Sequence, residues 1–174
     1  QDEKIVINSL ALETSLTAKN LKDAIKPQEK FGLIQALLKT ISPDFGFELD
    51  VNSDFPIGSG LGGSAVVAAA VLGCFNQFRQ DRWDDRELAE LAYQAERLYH
   101  GIDGGWQDQY ATVFGGFNFI EFDNKNNIVH PLKFNTNTLL ELEESLILRD
   151  TRVTHNSDLI QKDLSNQIDK NEIK

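Results

Sequence analysis

Methionine is missing from this chain, and cysteine occurs once, as Cys74. A lone cysteine excludes an internal disulfide and suits a reducing compartment such as the cytosol. Because Cys74 lies in an apolar run, it reads as a small buried hydrophobe. The missing methionines include an initiator, and methionine is a common gap filler in cores. The expectation is therefore a stretch of a longer polypeptide. Long apolar runs are absent too. The richest, Ala65 to Phe75, has 11 residues, against the roughly 20 needed to cross a bilayer. The opening Gln1-Asp2-Glu3-Lys4 has none of the basic-then-apolar order of a secretory leader. Positive charge is scarce: 17 Lys and Arg stand against 27 Asp and Glu, a net charge of −10. Such a chain repels nucleic acid and anionic membranes unless a local basic patch overrides it. These absences predict a cytoplasmic protein with no nucleic-acid or membrane partner, and they leave its oligomeric state open.

What is present is ordinary globular material. Hydrophobic residues make up 41% and charged residues 25% of 174 residues, which suits one domain, or one domain and the start of another. Lys4 to Leu10 is short and β-branched, and reads as a strand. Thr14 to Lys30 is polar and mixed, and reads as loop or broken helix. Leu33, Ile34, Leu37, Leu38 and Ile41 recur at helical spacing, predicting a helix over 28–41. Phe47, Leu49 and Val51 alternate with polar residues as a half-buried strand does. The Ala/Val run 65–78, apolar nearly all round, predicts a buried helix. Asp84 with Glu87 resembles a capping box, and Leu88, Leu91, Ala92, Ala95 and Leu98 form that helix's inner stripe. A short helix over 107–114, a hairpin of 117–122 with 128–132, a short strand at 146–148 and a helical pattern over 157–173 complete the series. Strands and helices mix without strict β-α-β alternation, which favours an α+β fold.

The most informative stretch is Pro56-Ile57-Gly58-Ser59-Gly60-Leu61-Gly62-Gly63-Ser64-Ala65, with four glycines in six residues. It follows a strand and opens a helix. There, convergent backbone N–H groups and the helix dipole favour an anion, and glycine lets phosphate oxygens approach the backbone. The G-x-x-x-x-G-K-[ST] loop fails, because no lysine precedes Ser64. Gly58, Gly60 and Gly63 satisfy G-x-G-x-x-G. However, the second parallel strand with an acidic end, which a dinucleotide fold needs, is lacking.

The same residues resemble the second motif of the galactokinase, homoserine kinase, mevalonate kinase and phosphomevalonate kinase (GHMP) superfamily, roughly P-x-G-x-G-L-G-S-S-A. One departure stands out, Gly63 in place of the first serine. The resemblance implies the two-domain GHMP kinase fold with a mixed sheet. It also implies a loop in which Gly58, Ser59, Gly60, Leu61, Gly62, Gly63, Ser64 and Ala65 bind ATP, with Ser64 helping to hold Mg²⁺. Downstream, Gly105-Trp106-Gln107-Asp108-Gln109 resembles the G-x-x-D-Q segment that carries the superfamily's catalytic aspartate, here Asp108. Glu96, 12 residues earlier, stands where sugar-kinase members place a Mg²⁺-binding glutamate. The stretch Gly104 to Phe122 is similar to a narrower branch, the D-glycero-D-manno-heptose 7-phosphate kinases and related fucokinase domains. That likeness implies ATP-dependent transfer of phosphate to the anomeric hydroxyl of a sugar phosphate. Another sugar kinase, or a non-catalytic sensor of the same fold, is the alternative.

The chemistry of the residues agrees. Phosphoryl transfer needs positioned phosphates, a hard cation on oxygen ligands and a group that orients or deprotonates the attacking hydroxyl. The loop, Ser64 with Glu96, and Asp108 match these in turn. Taken alone, Glu96 reads more readily as a solvated helix residue paired with Arg97 or Arg86, and Asp108 as a helix cap; their coincidence with the loop favours the catalytic roles. Further substrate candidates are Asp103 and Trp106 beside the glycine turn, and Arg149 and Arg152 in a polar cluster with His155 and Ser157. Tyr110 and Phe114 are further aromatic candidates to line a sugar site, against ordinary packing. The superfamily's first and third motifs are not found in the chain. The resemblance therefore divides it into an N-terminal ATP-binding domain over 1–135 and the start of a C-terminal domain over 136–174. These residues alone are not expected to turn over substrate.

Overall fold

The computed structural model describes residues 3–149 apart from 55, 57, 124 and 125. The helical pattern expected over 157–173 lies outside the described residues. Strand β1 (Ile5–Ser9) runs antiparallel to β2 (Thr14–Ala18) and parallel to β3 (Phe47–Val51), giving the order β2-β1-β3. The parallel pair needs a crossover. It is supplied by the one-turn helix α1 (Leu21–Ala24), a 3₁₀ turn and α2 (Gly32–Ile41). Thr14–Ala18 is thus a strand, where its polar composition suggested a loop. Its pairing with β1, from Ile5 opposite Ala18 to Ser9 opposite Thr14, supplies what local propensity lacks.

One face of this mixed sheet carries the core. Ile5, Ile7 and Leu16 pack with Leu37 and Leu38 of α2 and with Leu72 and Phe75 of α3 (Gly63–Asn76). Helix α4 (Asp85–Gln94) adds Ala92, and its Asp84 cap is a true capping box: Asp84 accepts from the Glu87 N–H and Glu87 accepts from the Asp84 N–H. Helix α5 (Gln107–Phe114) packs on α3 and α4. The hairpin β4 (Asn118–Glu121) with β5 (Ile128–Pro131) follows, and then α6 (Thr136–Ser145), of which no residue is buried. Helix α6 was not expected from the sequence, and the strand expected at 146–148 is irregular chain. Helices with separate small sheets among the described residues make an α+β fold.

Two expectations about burial are corrected. Leu98 is 70% exposed although it continues the spacing of the α4 stripe. After Gln94 the helix widens into a π turn, Ala95–Tyr99, with the His100 N–H bonding to the Ala95 carbonyl at 2.9 Å. The wider turn rotates Leu98 outward and Glu96 inward, where it is fully buried. Cys74 is exposed, not buried. With Val66 and Ala70 it lines one side of an open groove of about 250 Å³, whose other side is Leu49 to Asp54. An apolar sequence all round a helix does not say which face meets protein.

Candidate functional site

Three left-handed glycines shape the turn before α3: Gly58 at φ 76°, Gly60 at 75° and Gly62 at 69°. An L side chain is strained in that region, so the glycine density is a backbone requirement. Gly62 is also the cap residue of α3, and it has no side chain to cap with. Within the helix the first bond runs from the Val66 N–H to the Gly62 carbonyl. The N–H groups of Gly63, Ser64 and Ala65 thus open the helix with no side-chain cap, and the first turn carries no acidic residue. An uncapped helix start of this kind is a ready site for an anion. Gly58, Ser59, Gly60, Leu61 and Ser64 are exposed, Gly62 and Gly63 half-buried. Ala65 is fully buried and offers only its backbone.

Helix α5 points its own start at this loop. Asp108, exposed in its first turn, lies so close that a Cβ on Gly62 would stand 3.9 Å from Asp108 Cγ. The structure thus brings together the glycine turn and the aspartate, which lie more than forty residues apart in sequence.

The next residue, Gln109, faces the other way. It is fully buried, and its amide donates to one carboxylate oxygen of Glu96. The second oxygen, Glu96 Oε1, is buried and meets no partner. A buried carboxylate oxygen in that state is costly unless something satisfies it. A hard cation does so, and Mg²⁺ in particular takes one or two protein oxygens and completes its shell with water and phosphate. Among the described residues no group of three or more His, Cys, Asp or Glu could hold a metal.

Between Glu96 and Asp108 runs a glycine turn. Arg97 donates to the carbonyls of Ile102 and Asp103 at 3.3 Å each and of Gly105 at 3.1 Å. Asp103 is exposed in that turn. Trp106 is half-buried and stacks on Tyr93, ring centroids 4.4 Å apart and planes 15° apart, and more loosely on Phe122. Tyr110 is fully buried, so it packs and does not line a sugar site. Its hydroxyl donates to Glu90 at 2.6 Å, and Asn127 donates to the same oxygen at 3.0 Å. Burial and the Glu90 carboxylate raise the Tyr110 pKa. Phe114 stacks on Tyr110. Arg149 is exposed in the irregular stretch after α6, and Arg152, His155 and Ser157 lie outside the described residues.

Gln109 closes the G-x-x-D-Q segment, but the sequence assigns no role to it, nor to Glu90 or to Arg97 as a brace of the turn. The signal for the first was its place directly after Asp108 in one helical turn, which sends adjacent side chains in different directions.

The sequence profile of the GHMP kinases N terminal domain matches residues 25–116. D-glycero-alpha-D-manno-heptose 7-phosphate kinase of Campylobacter jejuni is 37% identical over 160 residues, covering 88% of this chain and 47% of that protein. Galactokinase of Mycobacterium tuberculosis is 34% identical over 125 residues, covering 71% of this chain and 34% of that protein. Among solved structures, a D-glycero-D-manno-heptose 1-phosphate kinase from Bacteroides thetaiotaomicron superposes with a TM-score of 0.73 at 31% identity. It covers 83% of this chain and 49% of that one. The chain spans about half the length of these relatives, or less.

Proposed function

Because the chain belongs to the GHMP kinase family, we propose that it carries the nucleotide-binding part of an ATP-dependent sugar kinase acting on D-glycero-D-manno-heptose 7-phosphate at the anomeric hydroxyl. The observation that carries this reading is the meeting of two helix starts: an uncapped, glycine-shaped α3 N-terminus and the exposed carboxylate of Asp108 beside it. The first holds the phosphates through the N–H groups of Gly63, Ser64 and Ala65 and the turn Gly58 to Gly62. The second takes the proton from the acceptor hydroxyl as it attacks. The nucleoside lies along the groove of Val66, Ala70 and Cys74, which continues from Gly63.

Ser64 and Glu96 would hold Mg²⁺, the serine giving a neutral oxygen and Glu96 Oε1 a charged one. Held there, Mg²⁺ would supply neutralisation of the phosphate charge. Residues 1–135 form the ATP-binding domain in this reading. Residues 136–174 begin a second domain, and α6, of which no residue is buried, fits an element whose packing partner lies elsewhere. Arg149 and Arg152 give the sugar phosphate a cationic contact against the repulsion of a chain at −10.

The test is a substrate panel on the full-length protein: D-glycero-D-manno-heptose 7-phosphate, unphosphorylated heptose, L-fucose, galactose and mevalonate. The heptose phosphate is expected to give the highest kcat/KM. Neutralising Arg149 and Arg152 together is expected to raise its KM far more than that of ATP. A clear preference for L-fucose or galactose would overturn the heptose assignment and leave the sugar-kinase reading standing.

A further inference from the structure

We propose that Arg97 is a positioning residue for the acceptor side of the site. It holds residues 101–105 in the one shape that sets Asp103 and the start of α5 against the sugar. The inference rests on the reading of Asp108 as the base.

Besides Arg97, the turn is anchored by the Ile102 N–H, which donates to the Glu96 carbonyl at 3.0 Å. It contains neither helix nor strand, and Gly101, Asp103 and Gly105 are exposed. The Arg97 guanidinium reaches three of its carbonyls, those of Ile102, Asp103 and Gly105, within four consecutive residues. Arg97 Nε is buried and meets no partner among the described residues, and among them the hydrogen bonds of this side chain go to the turn. Gly104 completes the fit. Its φ is +148°, and a Cβ there would stand 2.7 Å from Arg97 Nη2 and 2.8 Å from Cζ. Any side chain at 104 would therefore displace the guanidinium as well as strain the backbone.

The position of this brace ties it to the chemistry. The π turn that buries Glu96 also directs its neighbour Arg97 at the glycine turn. The clamped Gly105 is followed at once by Trp106, the cap residue of α5, and Asp108 stands in the first turn beyond it. Slackening 101–105 moves Asp103 directly and loosens the approach to Asp108, while the phosphate loop before α3 is untouched. Lysine cannot substitute. It keeps the charge but is a single point donor, where the planar fork serves several carbonyls at once.

The experiment uses the full-length protein with Arg97→Lys and, as an independent disruption, Gly104→Ala. Amide hydrogen exchange over 101–108 is measured beside steady-state kinetics with ATP and D-glycero-D-manno-heptose 7-phosphate, or galactose where that is the better acceptor. Both variants are expected to speed exchange in 101–105 and to lower kcat/KM for the acceptor about tenfold or more, with the KM for ATP within about twofold. Added guanidinium is expected to restore part of the acceptor-side loss in Arg97→Ala. Unchanged exchange in both variants, or equal losses towards ATP and acceptor, would overturn the proposal. If Asp108→Asn stays active, the base reading fails by itself, and exchange together with the acceptor KM still decides the role of Arg97.

Discussion

Gly62 and Asp108 face each other across the starts of two helices, with only 3.9 Å between Asp108 Cγ and the place a Cβ on Gly62 would take. The phosphate loop and the proposed base are therefore within contact distance, and a side chain at 62 meets the aspartate as well as the loop. Valine there also enters a left-handed backbone at φ +69°, a strain of about 1–3 kcal/mol. Gly60, at φ +75°, has open space around it, so Gly60→Ala isolates the backbone effect. Gly62→Val is expected to weaken ATP binding about tenfold or more, read by calorimetry, and Gly60→Ala to weaken it less. A folded Gly62→Val protein with wild-type ATP affinity removes this loop from the nucleotide site.

Asp108→Asn keeps the size of the side chain and removes its ability to take a proton. Loss of a general base lowers rate by about 10² to 10⁴. In the full-length protein kcat is expected to fall in that range, with ATP affinity nearly unchanged because the phosphate N–H groups belong to α3. Retention of about half the activity or more would rule out Asp108 as the base.

Local signals carried much of the fold. The alternation of Phe47, Leu49 and Val51, the stripe of α2 and the Asp84 box all depend on residues a few positions apart, and all three elements stand where their patterns put them. The failures share another origin. Thr14–Ala18 is a strand because β1 lies beside it. Leu98 is out and Glu96 in because one helical turn widens, a change no periodicity of fixed pitch contains. The glycine turn and Asp108 were legible as motifs, since left-handed backbone needs glycine. Their contact was not, because it is made by the packing of α5 on α3. Gln109 and Arg97 act on partners that only the turned-in π segment brings near.

Gln109→Leu tests the support of Glu96. The variant keeps an apolar bulk in a fully buried position and removes the donor to the carboxylate. A buried carboxylate that loses a hydrogen bond costs about 1–3 kcal/mol or more, expected as a lower urea midpoint. The Mg²⁺ concentration for half-maximal activity is expected to rise several-fold, because nothing then fixes the direction of Oε1. Should both stability and Mg²⁺ demand match the wild type, Gln109 does not orient Glu96.

Cys74 reports on the groove. It is exposed there among Val66 and Ala70 and is the chain's single thiol. A thiol reagent is expected to modify it in the free protein, and saturating Mg-ATP to slow that reaction about tenfold or more. Modification at the same rate with and without nucleotide would place the nucleoside elsewhere.

Tyr110 sets an alkaline limit on the fold. Burial, helped by the hydrogen bond to Glu90, raises its pKa above that of a free tyrosine, so the folded chain prefers the neutral phenol. In the unfolded chain the same group ionises near pH 10. The stabilisation is therefore complete below about pH 10 and is lost as pH rises towards the folded value. Tyr110→Phe removes the ionisable group and with it this share of the alkaline loss. It also removes the bond to Glu90, which keeps Asn127 at 3.0 Å, so at neutral pH the variant is expected to be less stable by about 1–2 kcal/mol. Urea midpoints measured from about pH 8 to 11 are expected to converge, the wild type falling more steeply than the variant. Parallel decline of the two proteins would show that another group governs their alkaline unfolding.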